Sequence, residues 1–244
     1  RGYDAGDIVE PYEARLDTAP RETGGDGLNA EHLALEDIGN LPGPTHLLSL
    51  DVRDQRAVEA AIVGLPPEWQ AIDILVNNAG LGRGLDKLHT GDTSGWDEMI
   101  DTNIKGLLYT SRAVLPGMVE RDRGHVINIG SIAGHEVYPG GNVYCATKHA
   151  VDAITKGMRI DLVDTPIRVS TIDPGLVETE FSLVRFHGDA DRAKTVYQGY
   201  KPLTGDDRAD TAVWIADRPA HVQVAEVIIF PTAQASSAVL HKEQ

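Results

Sequence analysis

Apolar positions along this chain recur in two periods. Five short runs read as strands buried on both faces: His46–Leu50 (HLLSL), Ile72–Val76 (IDILV), His125–Ile129 (HVINI), Ile167–Ile172 (IRVSTI) and Val224–Phe230 (VAEVIIF). Helical spacing fills the gaps. Ala57, Ala60, Ala61 and Leu65 predict a helix over Arg53–Leu65. Trp96, Met99, Ile100, Ile104, Leu107, Leu108 and Val114 predict one helix, capped by Thr93 or Ser94 and running to about Arg121. Asn142 opens a long helix with Val143, Ala146, Ala150, Val151, Ile154, Met158 and Leu162 on one side, and Asp206–Asp217 reads as another. Turn residues close two strands, Asn77-Asn78-Ala79-Gly80 after the second and Asp173-Pro174-Gly175 after the fourth. Strands alternating with helices predict an α/β fold, a Rossmann-like doubly wound parallel sheet. There is no repeat of fixed period and no low-complexity linker after residue 45, so 46–244 is expected to be one domain.

Residues 1–45 break the pattern. Ile8-Val9 is their one β-branched pair, Leu33–Leu41 has the spacing of one helix, and the rest reads as loop or weakly ordered chain. Charge sharpens the contrast. The chain carries 37 acidic and 22 basic residues, net −15. Ten of the acids and only three of the bases lie in the first 45 residues, with seven Gly and four Pro. That sign argues against nucleic acid or an anionic membrane as partner. At 41% hydrophobic and 24% charged residues the chain is neither wholly disordered nor collagen-like. Its apolar runs reach only about seven residues, too short for a membrane-spanning helix. The start, Arg1-Gly2-Tyr3-Asp4, has no apolar stretch of a signal peptide. A single cysteine, Cys145, excludes an internal disulfide and fits a reducing, cytoplasmic compartment.

The chemistry centres on Tyr144 and Lys148, four apart near the start of the long helix and so on one face of it. A phenol is a poor base at neutral pH, and a nearby ammonium is expected to lower its pKa, giving a general acid/base for a hydroxyl or carbonyl. Tyr197 and Lys201 have the same spacing, but no strand lies 13 residues before them as one does before Tyr144, and they read as a solvated pair. Ser131 follows a strand's carboxyl end, where α/β sheets place ligand chemistry; it reads as a hydrogen-bond donor to a substrate oxygen, or as a loop-capping serine. Asn103 falls mid-helix, either solvated or buried around a water of a proton relay. Cys145 reads as a small helix residue. No two of the nine His lie three to five residues apart, so no metal is expected.

Together, Asn77-Asn78-Ala79-Gly80, Asn103, Ser131, Tyr144-x-x-x-Lys148 and Asp173-Pro174-Gly175, in that order and at those spacings, resemble the short-chain dehydrogenase/reductase family. Leu176–Gly188, Tyr197-Gln198-Gly199, Pro202-Leu203-Thr204 and Pro231-Thr232-Ala233-Gln234 narrow this to a likeness with its NADP-dependent 3-hydroxy acid dehydrogenases, which act on serine and allo-threonine. The resemblance implies hydride transfer between NADP (or, alternatively, NAD) and a carbinol carbon of a small hydroxy acid or carbonyl substrate. It implies Tyr144 as acid/base, Lys148 lowering its pKa and binding the nicotinamide ribose, Ser131 orienting the substrate oxygen and Asn103 completing a proton relay. It implies Asp51 and Val52 against the adenine, Asn78, Ala79 and Gly80 along the cofactor near its ribose, and Pro174, Gly175 and Thr179 on the nicotinamide side. It implies a homodimer or homotetramer formed through the helices around 100–121 and 142–163. Arg185, whose planar fork suits a carboxylate, is the residue for the substrate's acid group, the alternative being a surface ion pair with Glu178 or Glu180.

The family's first strand leads into Thr-Gly-x-x-x-Gly-x-Gly, a loop that cradles pyrophosphate at a helix N-terminus. Near residues 3–10, where it would fall, stands Tyr3-Asp4-Ala5-Gly6-Asp7-Ile8-Val9-Glu10, without the glycines and with three acids. Thr23-Gly24-Gly25-Asp26-Gly27 is glycine-rich but follows no strand, and Leu28 stands where glycine is needed. Residues 1–45 therefore read as an atypical segment in place of the nucleotide-binding loop, with the first strands lacking or altered. Either that segment has been replaced or the chain begins inside a longer fold. The alternative function is a non-catalytic relative with lost or weak cofactor binding.

Overall fold

The computed structural model describes residues 43–243. The pair Ile8-Val9, the helix at Leu33–Leu41 and the glycine-rich stretch at residues 23–27 lie outside the described residues. Four parallel strands form the sheet: β1 (Ile74–Asn77), β2 (His125–Ile129), β3 (Arg168–Pro174) and β4 (Glu226–Ile229), in the order β1-β2-β3-β4. Ile74 pairs with His125, His125 with Arg168, and Thr171 with Glu226. The helices are α1 (Gln55–Val63), α2 (Thr93–Ile100), α3 (Leu107–Glu120), α4 (Asn142–Asp161), α5 (Phe181–Arg185), α6 (Ala190–Val196) and α7 (Gly205–Ala216).

Strand alternation divides the core between two faces. Ile74, Val76, Ile127, Ile129 and Ile172 point one way, onto Ala212, Ile215 and Ala216 of α7. Leu75, Val126 and Val169 point the other way, onto Val114 and Met118 of α3. Both faces are covered, as the doubly wound reading requires. On the α3 face a buried polar layer lies toward the strands' carboxyl ends. Asn77 Nδ2 donates to Ser111 Oγ (2.9 Å) and to Asn128 Oδ1 (2.8 Å), and Asn128 Nδ2 donates to Thr155 Oγ1 (2.8 Å). These bonds tie β1, β2, α3 and α4 together, and burial makes an unmatched member costly.

Four expectations are corrected. Residues 46–50 form no strand, and Leu47 and Leu48 are 44% and 47% exposed. A parallel strand exists only through pairing, and no described strand lies beyond β1 to receive it. The cap of α2 is Asp92, whose carboxylate accepts the Ser94 N–H at 3.0 Å. The single helix expected to about Arg121 is instead α2, one π-helical turn over Asp101–Gly106, and α3. Apolar spacing misses the break because both helices bury the same side. Finally, β3 runs through Asp173 and Pro174, which pair with Ile228 and Ile229. Pro174 can end the ladder because the following Gly175 N–H supplies the next bond, to Ile229 O at 2.8 Å.

Candidate active site

The carboxyl ends of β1, β2 and β3 meet the first turns of α4, and there the sequence-predicted residues converge. Tyr144 and Lys148 lie one turn apart on α4. Lys148 is 7% exposed, and its Nζ donates to Ile129 O, the last carbonyl of β2, at 2.9 Å. Ser131 begins the loop after β2. It does cap a short 3-10 turn (Ile132–Gly134), its Oγ accepting the Ala133 N–H at 3.1 Å, and its own N–H donates to Asp173 Oδ1 at 3.1 Å. The approach is tight: a Cβ on Gly130 would fall 1.7 Å from Asp173 Oδ1, so only glycine fits there. Asn103 is buried in the π-helical turn, not solvated. Its Oδ1 accepts the Leu81 N–H and its Nδ2 donates to Leu81 O, both at 2.8 Å, with a further bond from Nδ2 to Thr147 Oγ1 at 3.0 Å. One side chain thus fixes the loop after Gly80 against α4. Single π turns inside α-helices often mark functional positions.

The electrostatics correct the expected lowering of the tyrosine. Burial pushes the Tyr144 phenol up to about 12; the Arg185 guanidinium leads the opposing pull, and the Ser131 hydroxyl adds to it. Burial also brings Lys148 down to about 8, with Asp173 opposing and Arg208 reinforcing the shift. Arg185 Cζ lies 4.7 Å from the ring centres of both Tyr144 and Phe181, and its Nη2 donates to Tyr138 Oη at 3.1 Å. Its Nε is buried without a hydrogen-bond partner. A cavity of about 40 Å³ opens beside Tyr144, walled by residues that include Arg83, Trp96, Met99, Asn142 and His187.

The remaining expected residues frame this centre. Asn78 and Ala79 are half-buried and Gly80 exposed just beyond β1; a Cβ on Gly80 would meet Asn103 Oδ1 at 3.3 Å and Lys148 Nζ at 3.6 Å. Pro174, Gly175 and Thr179 follow along the end of β3, and Thr179 Oγ1 accepts the Phe181 N–H at 3.3 Å. Asp51 and Val52 precede α1. The Asp51 carboxylate grips the Arg53 guanidinium at 2.7–3.0 Å, and Val52 packs on Gly106 of the π turn. Tyr197 is no solvated residue: its hydroxyl donates to Val177 O (2.9 Å) and bonds Ser182 Oγ (2.8 Å), while Lys201 is exposed. Sequence reasoning missed Thr147, whose signal was its place between Tyr144 and Lys148. It also missed Tyr138 and Phe181, which hold Arg185, and Arg208 on α7, whose Nη1 donates to Asn78 Oδ1 at 3.4 Å. No local pattern marks these last three.

A parallel doubly wound sheet with this constellation at its carboxyl ends defines a dehydrogenase of the dinucleotide-dependent class. A short chain dehydrogenase model matches residues 27–188, and the chain belongs to that family. Its relatives include the NADP-dependent 3-hydroxy acid dehydrogenase of Salmonella typhi, 51% identical over 186 residues that span 76% of this chain and 75% of that protein. The protein of the same name from Schizosaccharomyces pombe is 43% identical over 197 residues, 81% of this chain and 76% of the relative. Among solved structures, the closed form of serine dehydrogenase complexed with NADP+ superposes with a TM-score of 0.82 at 45% identity, covering 87% of this chain and 86% of that one. Serine dehydrogenase from Escherichia coli gives 0.71 at 41% identity, with 85% and 84% covered.

Proposed function

We propose that this chain is an oxidoreductase moving a hydride between NADP(H) and the CH–OH carbon of a small 3-hydroxy acid. The observation that carries the reading is the convergence of Ser131, Tyr144, Lys148 and Asn103 at the ends of β1 and β2, in a chain about half identical to dehydrogenases of that name. The same convergence favours catalysis over the non-catalytic alternative. The dinucleotide fits the residues present: Gly80 lacks a Cβ beside the Lys148 ammonium, and Arg208 Nε beside Asn78 is buried without a partner. Lys148, Asn78, Ala79 and Gly80 would hold its ribose end, Pro174, Gly175 and Thr179 its nicotinamide side, and Asp51 and Val52 its adenine. When bound, the nicotinamide supplies or accepts the hydride.

The chain's own share is positioning and proton delivery. Ser131 Oγ already accepts from Ala133, which leaves its hydroxyl proton to donate to the substrate oxygen. Tyr144 Oη gives a proton to that oxygen in reduction and takes one in oxidation. With the phenol at about 12, the acid role is ready at neutral pH. The Arg185 guanidinium already acts on the phenol at that value, so the base role needs further positive charge, for which the Lys148 ammonium one turn along α4 is at hand. Arg185 would meet the substrate carboxylate through its partnerless Nε, and Asn103 would hold the relay toward Lys148. In this reading 46–244 is the catalytic unit, and 1–45 stands where the family has its nucleotide-binding loop. A second copy of the chain is the proposed partner, and the lone Cys145 supports a cytoplasmic location.

The test is NADP+ reduction with L-serine, allo-threonine and 3-hydroxypropionate, repeated with NAD+. Turnover is expected with NADP+, falling about 10²–10⁴-fold in Tyr144→Phe while calorimetric NADPH binding stays nearly unchanged. An absence of both heat and melting-temperature rise at millimolar NADPH sinks the reading.

A further inference from the structure

Three side chains from separate elements converge at the β3–β4 edge. His135 follows the turn Ile132–Gly134, Asp173 stands near the end of β3, and Glu226 opens β4. His135 Nε2 lies 3.2 Å from Asp173 Oδ2 and 3.8 Å from Glu226 Oε1, and the three donor atoms all lie within 4.8 Å of one another. Asp173 is 1% exposed, yet its Oδ2 has no hydrogen-bond partner, and neither has His135 Nε2. The two atoms are near each other without being aimed as donor and acceptor. A buried carboxylate oxygen without a well-aimed donor is unfavourable, and the ion-pair contact with His135 does not supply one, so a cation shared by the two atoms would satisfy both.

We propose that His135, Asp173 and Glu226 bind a divalent cation of the zinc type. One imidazole and two carboxylates are a borderline donor set, and the two negative charges neutralise a dication. With metal–donor bonds of 2.0–2.2 Å, the donors of a tetrahedral site lie about 3.3–3.6 Å apart, close to the two shorter separations. Glu226 is partly exposed at the start of an edge strand and can turn to close the third. Asp173 is oriented beforehand: its other oxygen accepts from the Ser131 N–H and the Thr171 hydroxyl, both at 3.1 Å. The Lys156 ammonium feels Glu226 and Asp173 but gives its hydrogen bond to Asp152 Oδ2 at 2.7 Å, leaving the three donors to the cation. Through Asp173 the cation would hold the backbone of Ser131 without touching substrate. The inference does not depend on the proposed reaction.

Full-length protein dialysed against EDTA is titrated with ZnCl2 by calorimetry and with CoCl2 by visible absorption. Saturable binding of one equivalent is expected. It weakens at least tenfold in both His135→Ala and Glu226→Gln, with loss of the cobalt bands, and is unchanged in the exposed control His89→Ala. Should His135→Ala fail to fold, the near-isosteric Glu226→Gln decides alone. No stoichiometric uptake by the wild type, or wild-type affinity in Glu226→Gln, overturns the site.

Discussion

Tyr144 and Lys148 are shifted by burial in opposite senses, and each shift has a consequence. The phenol stands at about 12, so at neutral pH it carries its proton. Lys148 stands at about 8, against 10.5 for an ordinary lysine. Between those values the unfolded chain binds the proton more tightly, so stability rises as pH climbs from 8 to 10.5. Below 8 the full penalty applies, about 3 kcal/mol. Lys148→Met is therefore expected to abolish turnover and yet to raise stability at pH 7 by about 2 kcal/mol, after loss of the bond to Ile129 O. Urea melts at pH 7 and at pH 10 check this: the gain should shrink at the higher pH, and a uniform loss at both would refute it. The sequence places Tyr144 and Lys148 on one face, because four-residue spacing on a helix leaves no choice. It does not place Arg185 over the Tyr144 ring, since α4 and α5 meet only in the folded chain.

At the scale of elements, the strands were legible where neighbours exist to pair them. His125–Ile129 matches its predicted bounds, whereas His46–Leu50 is just as apolar and stays outside the sheet for want of a partner. The π turn holding Asn103 was not legible, because a change of helical pitch leaves little trace in apolar spacing. The α7 face of the sheet also carries His125, whose Nε2 bonds Ser170 Oγ at 2.8 Å. Burial, aided by Arg168, lowers its pKa to about 3 from the usual 6.5. A neutral buried His contributes stability that is complete above pH 6.5 and is lost as pH falls toward 3, by about 1.4 kcal/mol per pH unit at most. Denaturant melts between pH 7 and pH 4 are expected to be shallower for His125→Gln than for wild type. Equal slopes would show that His125 takes no part in acid unfolding.

Over the whole molecule, exposed apolar side chains are scattered along the described chain, and some of them lie on α3 and α4. Leu108, Leu115 and Val119 lie along one side of α3, Leu108 and Val119 exposed, while Ile160 is exposed in the last turn of α4 and Val163 in the turn after it. A second copy of the chain, the proposed partner, would pack on these helices. Sedimentation at micromolar concentration is expected to give a dimer or tetramer, and the double variant Leu108→Glu, Val119→Glu a monomer. A monomeric wild type would count against a second copy as partner. The family match begins at residue 27, inside the acidic segment that the sequence sets apart, so charge asymmetry and family boundary do not coincide.

The sequence by itself determined the class of fold and the family, and it singled out the side chains proposed to react. The fold class follows from local periodicity, and the family from a resemblance carried by short motifs whose order and spacing are written in the chain. Only the tertiary structure decided how those side chains are tuned. Desolvation, which raises Tyr144 and lowers Lys148, depends on everything packed around a group and not on its neighbours in the chain. The same holds for the meeting of His135, Asp173 and Glu226, which no spacing rule connects because three elements distant in sequence supply one donor each.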